Sequence, residues 1–239
     1  MTTCEIVKYI RFLSNKHQVG DAFTPEDINL AFKNVNDEVF NLWLTKFAAG
    51  QPIPEPLMTF ITNVSAGTIS GGTYTLPAAL RRIVGNMSCI IDGNVVPLDL
   101  VDEGTFNYLK SFPGRNLSRA PVAVLRGGVV NVIPTNAGSI NITYIRYPLV
   151  PVYDYYVDEY ANEVCLEPGD SHTLGSGEYG SAGQTSGTTV SSTAVDIEWH
   201  ERIHEHFVSR MLGKLGINIL EPGLVQFSET GKAQQIQTQ

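Results

Sequence analysis

The chain has 239 residues, 43% of them apolar, with 16 Lys and Arg against 24 Asp and Glu, a formal net charge of -8 and a pI near 5.1. That length and composition admit one large domain or a domain with appendages, and the charge opposes a phosphate-neutralising surface. No window approaches the roughly 18 uninterrupted apolar residues of a membrane span, and Met1–Glu5 lack the charged-then-apolar layout of a signal peptide, so neither membrane insertion nor secretion is expected. Cys4, Cys89 and Cys165 are widely spaced and form no CxxC, which disfavours a disulfide framework or a zinc knuckle and fits a reducing cytoplasm.

Residues 1–50 read as a helical hairpin. Ile6, Ile10 and Leu13 recur at helical spacing, and Gly20 ends the pattern. Thr24 then supplies an N-cap and Pro25 a first helical residue, with Glu26 and Asp27 in the first turn, where the helix dipole favours carboxylates. The stripe Ile28, Ala31, Phe32, Val35, Val39, Leu42, Trp43 and Phe47 carries this second helix up to Gly50 and the Pro52, Pro54, Pro56 run.

Residues 51–165 read as a β-rich body. Arg81–Ile91 reads as a strand, with Asp92, Gly93 and Asn94 as the turn back along Val95, Val96 and Leu98. Val101–Ser111 forms a short helix through Phe106 and Leu109. A second hairpin joins Val122–Leu125 to Val129–Ile133 through Gly127 and Gly128, and Ile140, Ile142, Tyr144 and Tyr147 continue as an alternating strand. The expected fold class is α+β: an N-terminal helical hairpin, a central antiparallel sheet or small barrel, a long acidic Gly/Ser loop, a C-terminal helix and an extended tail.

The acidic loop stands out. Tyr147–Glu201 carries ten carboxylates and no Lys or Arg, and Pro168–Ala194 is mostly Gly, Ser and Thr. Such a composition buries too little apolar surface to offset ordering, so residues 166–194 are expected to be a flexible loop that needs a partner. A C-terminal helix over 195–216, packing on the body, follows from Trp199, Ile203, Phe207, Met211 and Leu215 four residues apart, with Gly216 as the stop. Residues 217–239 read as an extended polar tail.

One motif carries possible chemistry. His200, Glu201, Arg202, Ile203 and His204 spell HExxH, the spacing that sets two zinc ligands on one helix face with a glutamate beside the metal-bound water. Against it, Arg202 places a cation beside a site for a dication, and the apolar stripe claims Trp199, Ile203 and Phe207, turning His200 and His204 partly to solvent. Glu221 and Glu229 make no convincing third ligand. A solvated helix face without metal or other cofactor is preferred, and a zinc-dependent hydrolase using His200, Glu201 and His204 is the alternative. No GxGxxG, Walker loop, GxSxG or kinase set is present. Tyr153, Tyr155, Tyr156 and Tyr160 suit either a core or a protein interface, where tyrosine gives contact area at low entropic cost.

The helical pair, the start Leu76–Pro77 of a β segment, the hairpin strand Val129–Pro134, the strand end Tyr144–Pro148, and Ile197, Glu198, Trp199 opening a helix that ends at Gly216, Ile217 and Asn218 before a Gln-rich tail resemble the head-to-tail connector proteins of short-tailed bacteriophages. The chain is most similar to the neck ring proteins of the crAss-like phages. The resemblance implies a non-enzymatic virion protein, assembled in the bacterial cytoplasm as a ring, twelvefold in symmetry, that links the portal protein to adjacent neck or tail proteins and forms part of the DNA conduit. On that reading Tyr153, Tyr155, Tyr156, Trp199, Gln226, Phe227, Gln234 and Gln235 face partners, and Asp170 and Glu178 line the conduit beside passing DNA, where like charge lowers friction.

Overall fold

The computed structural model describes residues 1–16, 23–47, 52–111 and 117–216. The chain divides into two units, one made of residues 1–56 and 148–239, the other of the inserted segment Leu57–Tyr147. The class is α+β, with a mostly antiparallel sheet. The β body is therefore shorter than the expected 51–165, because residues 148–165 pair with strands that follow them and belong with the helices.

The first unit is organised by three helices, α1 (Thr3–Lys16), α2 (Pro25–Lys46) and α5 (Glu201–Lys214), and the one-turn α3 (Glu55–Met58) falls where the chain passes from the first unit into the second. The Thr24 hydroxyl accepts from the Asp27 N–H while the Asp27 carboxylate accepts from the Thr24 N–H, a capping box that fixes the start of α2. Ile6, Val7 and Ile10 of α1, Ile28, Phe32, Val35 and Val39 of α2, and Ile203, Phe207 and Met211 of α5 are buried. The Phe32 and Phe207 rings lie 6.1 Å apart, and Glu38 of α2 pairs with Arg210 and Lys214 of α5. The C-terminal helix thus packs on α2 and α1, its stripe meeting the stripe of α2.

Sequence reasoning fails most clearly at residues 166–194. Strands β9 (Asp154–Val157), β10 (Glu163–Leu166) and β12 (Tyr179–Gly180) form a three-stranded antiparallel sheet, and β11 (Ser171–Thr173) pairs with β13 (Thr189–Ser191). Leu166, Leu174 and Val190 are buried as a small core with Tyr156 packed against it. A few apolar side chains at alternating register and a dense set of turn hydrogen bonds replace the bulk burial that composition alone seemed to demand.

The cysteine expectation also needs correction. Cys4 at the start of α1 and Cys165 on β10 are joined by a disulfide, with Cα atoms 5.9 Å apart. Spacing along the chain did not reveal it, because the partners are 161 residues apart in sequence and meet only through the fold. Cys89 is a buried free thiol, pushed up in pKa by that burial.

The second unit is an eight-stranded sheet with a short helix. Its strands are β1 (Ile61–Thr68), β2 (Thr73–Thr75), β3 (Leu80–Ile83), β4 (Met87–Ile91), β5 (Asn94–Leu100), β6 (Val122–Arg126), β7 (Val129–Ile133) and β8 (Ser139–Arg146), in the order β1-β8-β4-β5-β6-β7-β2 with β3 also on β8. All pairings are antiparallel except β5 with β6, where α4 (Glu103–Lys110) makes the crossover. Consecutive strands β1 and β2 stand at the two ends of this order, so the sheet curls toward a barrel. At that seam a Cβ on Gly67 would lie 2.7 Å from the Tyr74 ring, so any larger residue there requires the ring to shift. Met87, Cys89, Ile91, Leu98, Ala123, Val130, Val132, Ile140, Ile142 and Tyr144 fill the interior, and Phe106 and Leu109 of α4 cover Val122 and Val124 on the outside.

Candidate functional site

The carboxylate-rich segment is the candidate site, because it concentrates the titratable groups of the first unit. Its centre is Asp154, 5% exposed, at the start of β9. Oδ1 accepts from the Tyr155 N–H at 2.9 Å and the Ser181 hydroxyl at 2.8 Å, and Oδ2 from the Thr193 N–H at 2.8 Å and hydroxyl at 2.9 Å. Burial works to raise this carboxyl, yet the donors from Thr193, Ser181 and Tyr155 outweigh it and hold Asp154 below the usual carboxylate range. One carboxylate therefore ties three separated stretches of chain together.

A second cluster lies on the hairpins. Tyr156 stacks on His172 with ring centroids 4.0 Å apart, and His172 Nε2 sits 2.8 Å from Glu178 Oε2, which also accepts from the Gly175 N–H at 2.6 Å. The Gly175 N–H and then His172 lower the Glu178 pKa. Asp158 likewise closes its own turn, accepting from the backbone N–H groups of Tyr160 and Asn162, with the Asn162 N–H first among the causes that lower its pKa. The Asp170 side chain accepts from the Glu167 N–H at 3.1 Å. These carboxylates act as turn and strand clasps.

The expected interface residues divide. Tyr153 is 3% exposed, stacked on Tyr155 at 5.7 Å, with Arg11 over its ring at 5.5 Å. Burial pushes its phenol up to about 12. Trp199 is also 3% exposed and donates from Nε1 to Asn36 Oδ1 at 2.8 Å within the helical core. Tyr153 and Trp199 are thus core residues of this chain, corrected from the partner-facing role, because aromatic rings next to the helix stripes fill the space between helices and hairpins. Tyr155 and Tyr156 are half-buried, Asp170 is exposed and Glu178 half-buried. Gln226, Phe227, Gln234 and Gln235 lie outside the described residues.

The HExxH residues do not share a helix face. His200 is the N-cap of α5, its Nδ1 accepting from the Arg202 N–H at 3.3 Å. His204, expected to face solvent, is 7% exposed. Its Nε2 donates to the Trp199 carbonyl at 2.8 Å, which leaves Nδ1 to accept from the Met1 amine at 3.2 Å. Both nitrogens of His204 are therefore engaged by the protein, and among the described residues no group of three or more His, Cys, Asp or Glu could hold a metal ion.

Asp154 and the disulfide are the two features that sequence reasoning missed. The available signal for Asp154 was its place in a β-prone Val-Tyr-Asp-Tyr-Tyr-Val run, where alternation turns one polar side chain inward. Charge is partitioned between the units: Leu57–Tyr147 holds seven Lys and Arg against four Asp and Glu, and the rest of the chain nine against twenty. No protein-family model matches the chain, and no curated protein matches it either.

Proposed function

We propose that this chain is a structural virion protein that assembles as an oligomeric ring, of twelve copies in the resemblance's terms, in the head-to-tail connector of a tailed bacteriophage, between the portal and the neighbouring neck or tail proteins. One observation carries the reading beyond the sequence resemblance: the division of charge between a cationic β unit and a strongly anionic helical unit. A chain built this way is electrostatically complementary to another copy in a head-to-tail sense, and head-to-tail contacts that close make rings. Exposed apolar side chains accompany it in both units, Tyr9, Phe12 and Leu30 in one and Val95, Leu100, Tyr108 and Leu125 in the other. The exposed Asp170 and the neighbouring cation-free segment suit a surface along which DNA slides without adhering.

The reading has a direct test. Purified chain is incubated with isolated portal rings and the complex is weighed by native mass spectrometry. The expected result is a complex whose copy number matches the portal symmetry and which dissociates as salt screens the charges. Absence of binding at every salt concentration overturns the proposal.

A further inference from the structure

α2 and the C-terminal end of α5 frame a cleft of about 350 Å³ lined by Phe23, Asp27, Leu30, Ala31 and Leu215. Asp27, Leu30 and Ala31 stand three and four residues apart and so share one face of α2. Leu30 is 57% exposed although it belongs to the apolar wall. A cavity of about 150 Å³ takes one benzene ring, so this cleft has room for two aromatic side chains. Its charge is acidic. Lys214, also on the cleft wall, is paired with Glu38 at 3.2 Å, whereas the Asp27 carboxylate meets neutral donors of Thr24 and no cation among the described residues.

α1 carries a group of side chains that matches this cleft in size and charge. Its inward face is Ile6, Val7 and Ile10, all buried. On the opposite face Lys8 precedes Phe12 by four residues and Tyr9 precedes it by three, which makes the ammonium and the two rings neighbours. Phe12 is 64% exposed and Tyr9 47%. Lys8 is exposed and pairs with no carboxylate among the described residues, and Glu5, two turns nearer the start of the helix, is held by the Thr2 N–H at 2.8 Å. The other exposed rings fit the cleft less well. Tyr160 and Tyr179 are flanked by Glu159 and Glu178, like in charge to Asp27, and Tyr108 presents a single ring.

We infer that Phe12 and Tyr9 of one copy seat in the α2–α5 cleft of a second copy, with Lys8 set against Asp27. Phe12 does not line the cleft of its own chain, so the contact is between copies. The rings and the cleft are different patches of one chain, and each copy therefore gives one contact and receives one, a head-to-tail arrangement that continues from copy to copy until it closes. The inference deepens the ring reading above and rests on it for the identity of the partner. Two rings bury about 300–500 Å² when fully covered, below the roughly 800 Å² per partner of a stable interface. Free chains thus pair weakly, and the ring is sustained by closure or by a template that raises their local concentration.

Full-length chain with the photoreactive analogue benzoylphenylalanine at position 12 tests the contact, as a mixture of isotopically heavy and light copies, both free at high protein concentration and on isolated portal rings. The expected result is heavy-to-light cross-links from position 12 to Leu30, Ala31 or Leu215. Leu30→Glu, which sets a carboxylate in the apolar wall, should lower their yield about tenfold or more, and Lys8→Glu about two- to fivefold, with the salt dependence lost. Leu30 is exposed, so the thermal midpoint of Leu30→Glu should match the wild type; if it falls, the Lys8→Glu yield decides. Cross-links confined to one copy, directed elsewhere, absent under both conditions or undiminished in folded Leu30→Glu overturn the inference. Portal-bound chains that cross-link elsewhere remove this contact and leave the connector reading standing, whereas links to Leu30 in a chain that never binds the portal remove the connector reading alone.

Discussion

Cutting the Cys4–Cys165 bond is the most informative perturbation of the first unit. The bond closes a loop of 161 residues, and chain-entropy arguments for a loop of that length give about 5 kcal/mol from restriction of the unfolded chain, with about 2–4 kcal/mol the usual measured range. The native side of the balance is favourable as well, since Arg11 of α1 pairs with Glu163 beside Cys165 on β10, so the two elements stay in register without the covalent link. Urea unfolding of wild type, of reduced wild type and of the Cys4→Ser, Cys165→Ser double variant should therefore show a lower midpoint in the last two, by about 2–5 kcal/mol, with native signals preserved before the transition. Thiol counting makes the test independent of stability: unfolded unreduced protein should alkylate at Cys89 alone, and reduced protein at three positions. Three reactive thiols without reduction, or identical midpoints with and without reductant, would refute the reasoning.

Asp154→Asn retains the shape of the side chain but points an amide N–H₂ at groups that donate, so about 2–4 kcal/mol of stability should be lost, read as a lower urea midpoint for the β9–β13 region by hydrogen exchange. Since the folded Asp154 pKa lies below the ordinary value of about 3.9, its contribution is fully present above that value and disappears as pH falls through the folded pKa; the asparagine variant should have a flatter acid-stability profile, and equal profiles would count against the clasp. His204→Ala strands the Trp199 carbonyl in a buried position and should cost about 1–3 kcal/mol, whereas the exposed cap His200→Ala costs about 1 kcal/mol or less; a zinc-dependent rise in melting temperature lost equally in both variants would revive the hydrolase reading. Gly67→Val drives a branched side chain into the Tyr74 ring and should destabilise the β unit by about 1–3 kcal/mol, seen as selective loss of protection in β1 and β2; unchanged protection would show that the seam is loose.

Much of the architecture was legible in the sequence, for physical reasons that can be named. The Thr24–Pro25 cap, the α2 stripe and the Asp92–Gly93 turn, with φ of 50° and 80°, are local signals written within a few residues, and they placed α2 and the β4–β5 hairpin correctly. The parallel contact of Leu100 with Ala123 is nonlocal and had no such signal. The order of residues 166–194 rests on Leu166, Leu174 and Val190, too few to register against a Gly/Ser background, and on carboxylates whose partners are backbone amides. For the same reason the candidate site was seen as charge but not as structure. Asp154 and Asp170 carry the same charge in the sequence, and only the fold buries one and exposes the other.

The insertion of the β unit has a further consequence. The strand that enters it, β1, and the strand that leaves it, β8, are hydrogen-bonded neighbours, with Ile61 opposite Ile145 and the Arg146 N–H on the Phe60 carbonyl at 2.9 Å. The ends of Leu57–Tyr147 are thus closed on each other within the unit itself. Genetic exchange of that whole block for another with adjacent ends would leave the Cys4–Cys165 bond and the Asp154 clasp covalently intact, since both lie wholly within the first unit. The helical frame and the β block are therefore free to diverge at different rates, the first constrained by its own core and the second by whatever its outer surface meets.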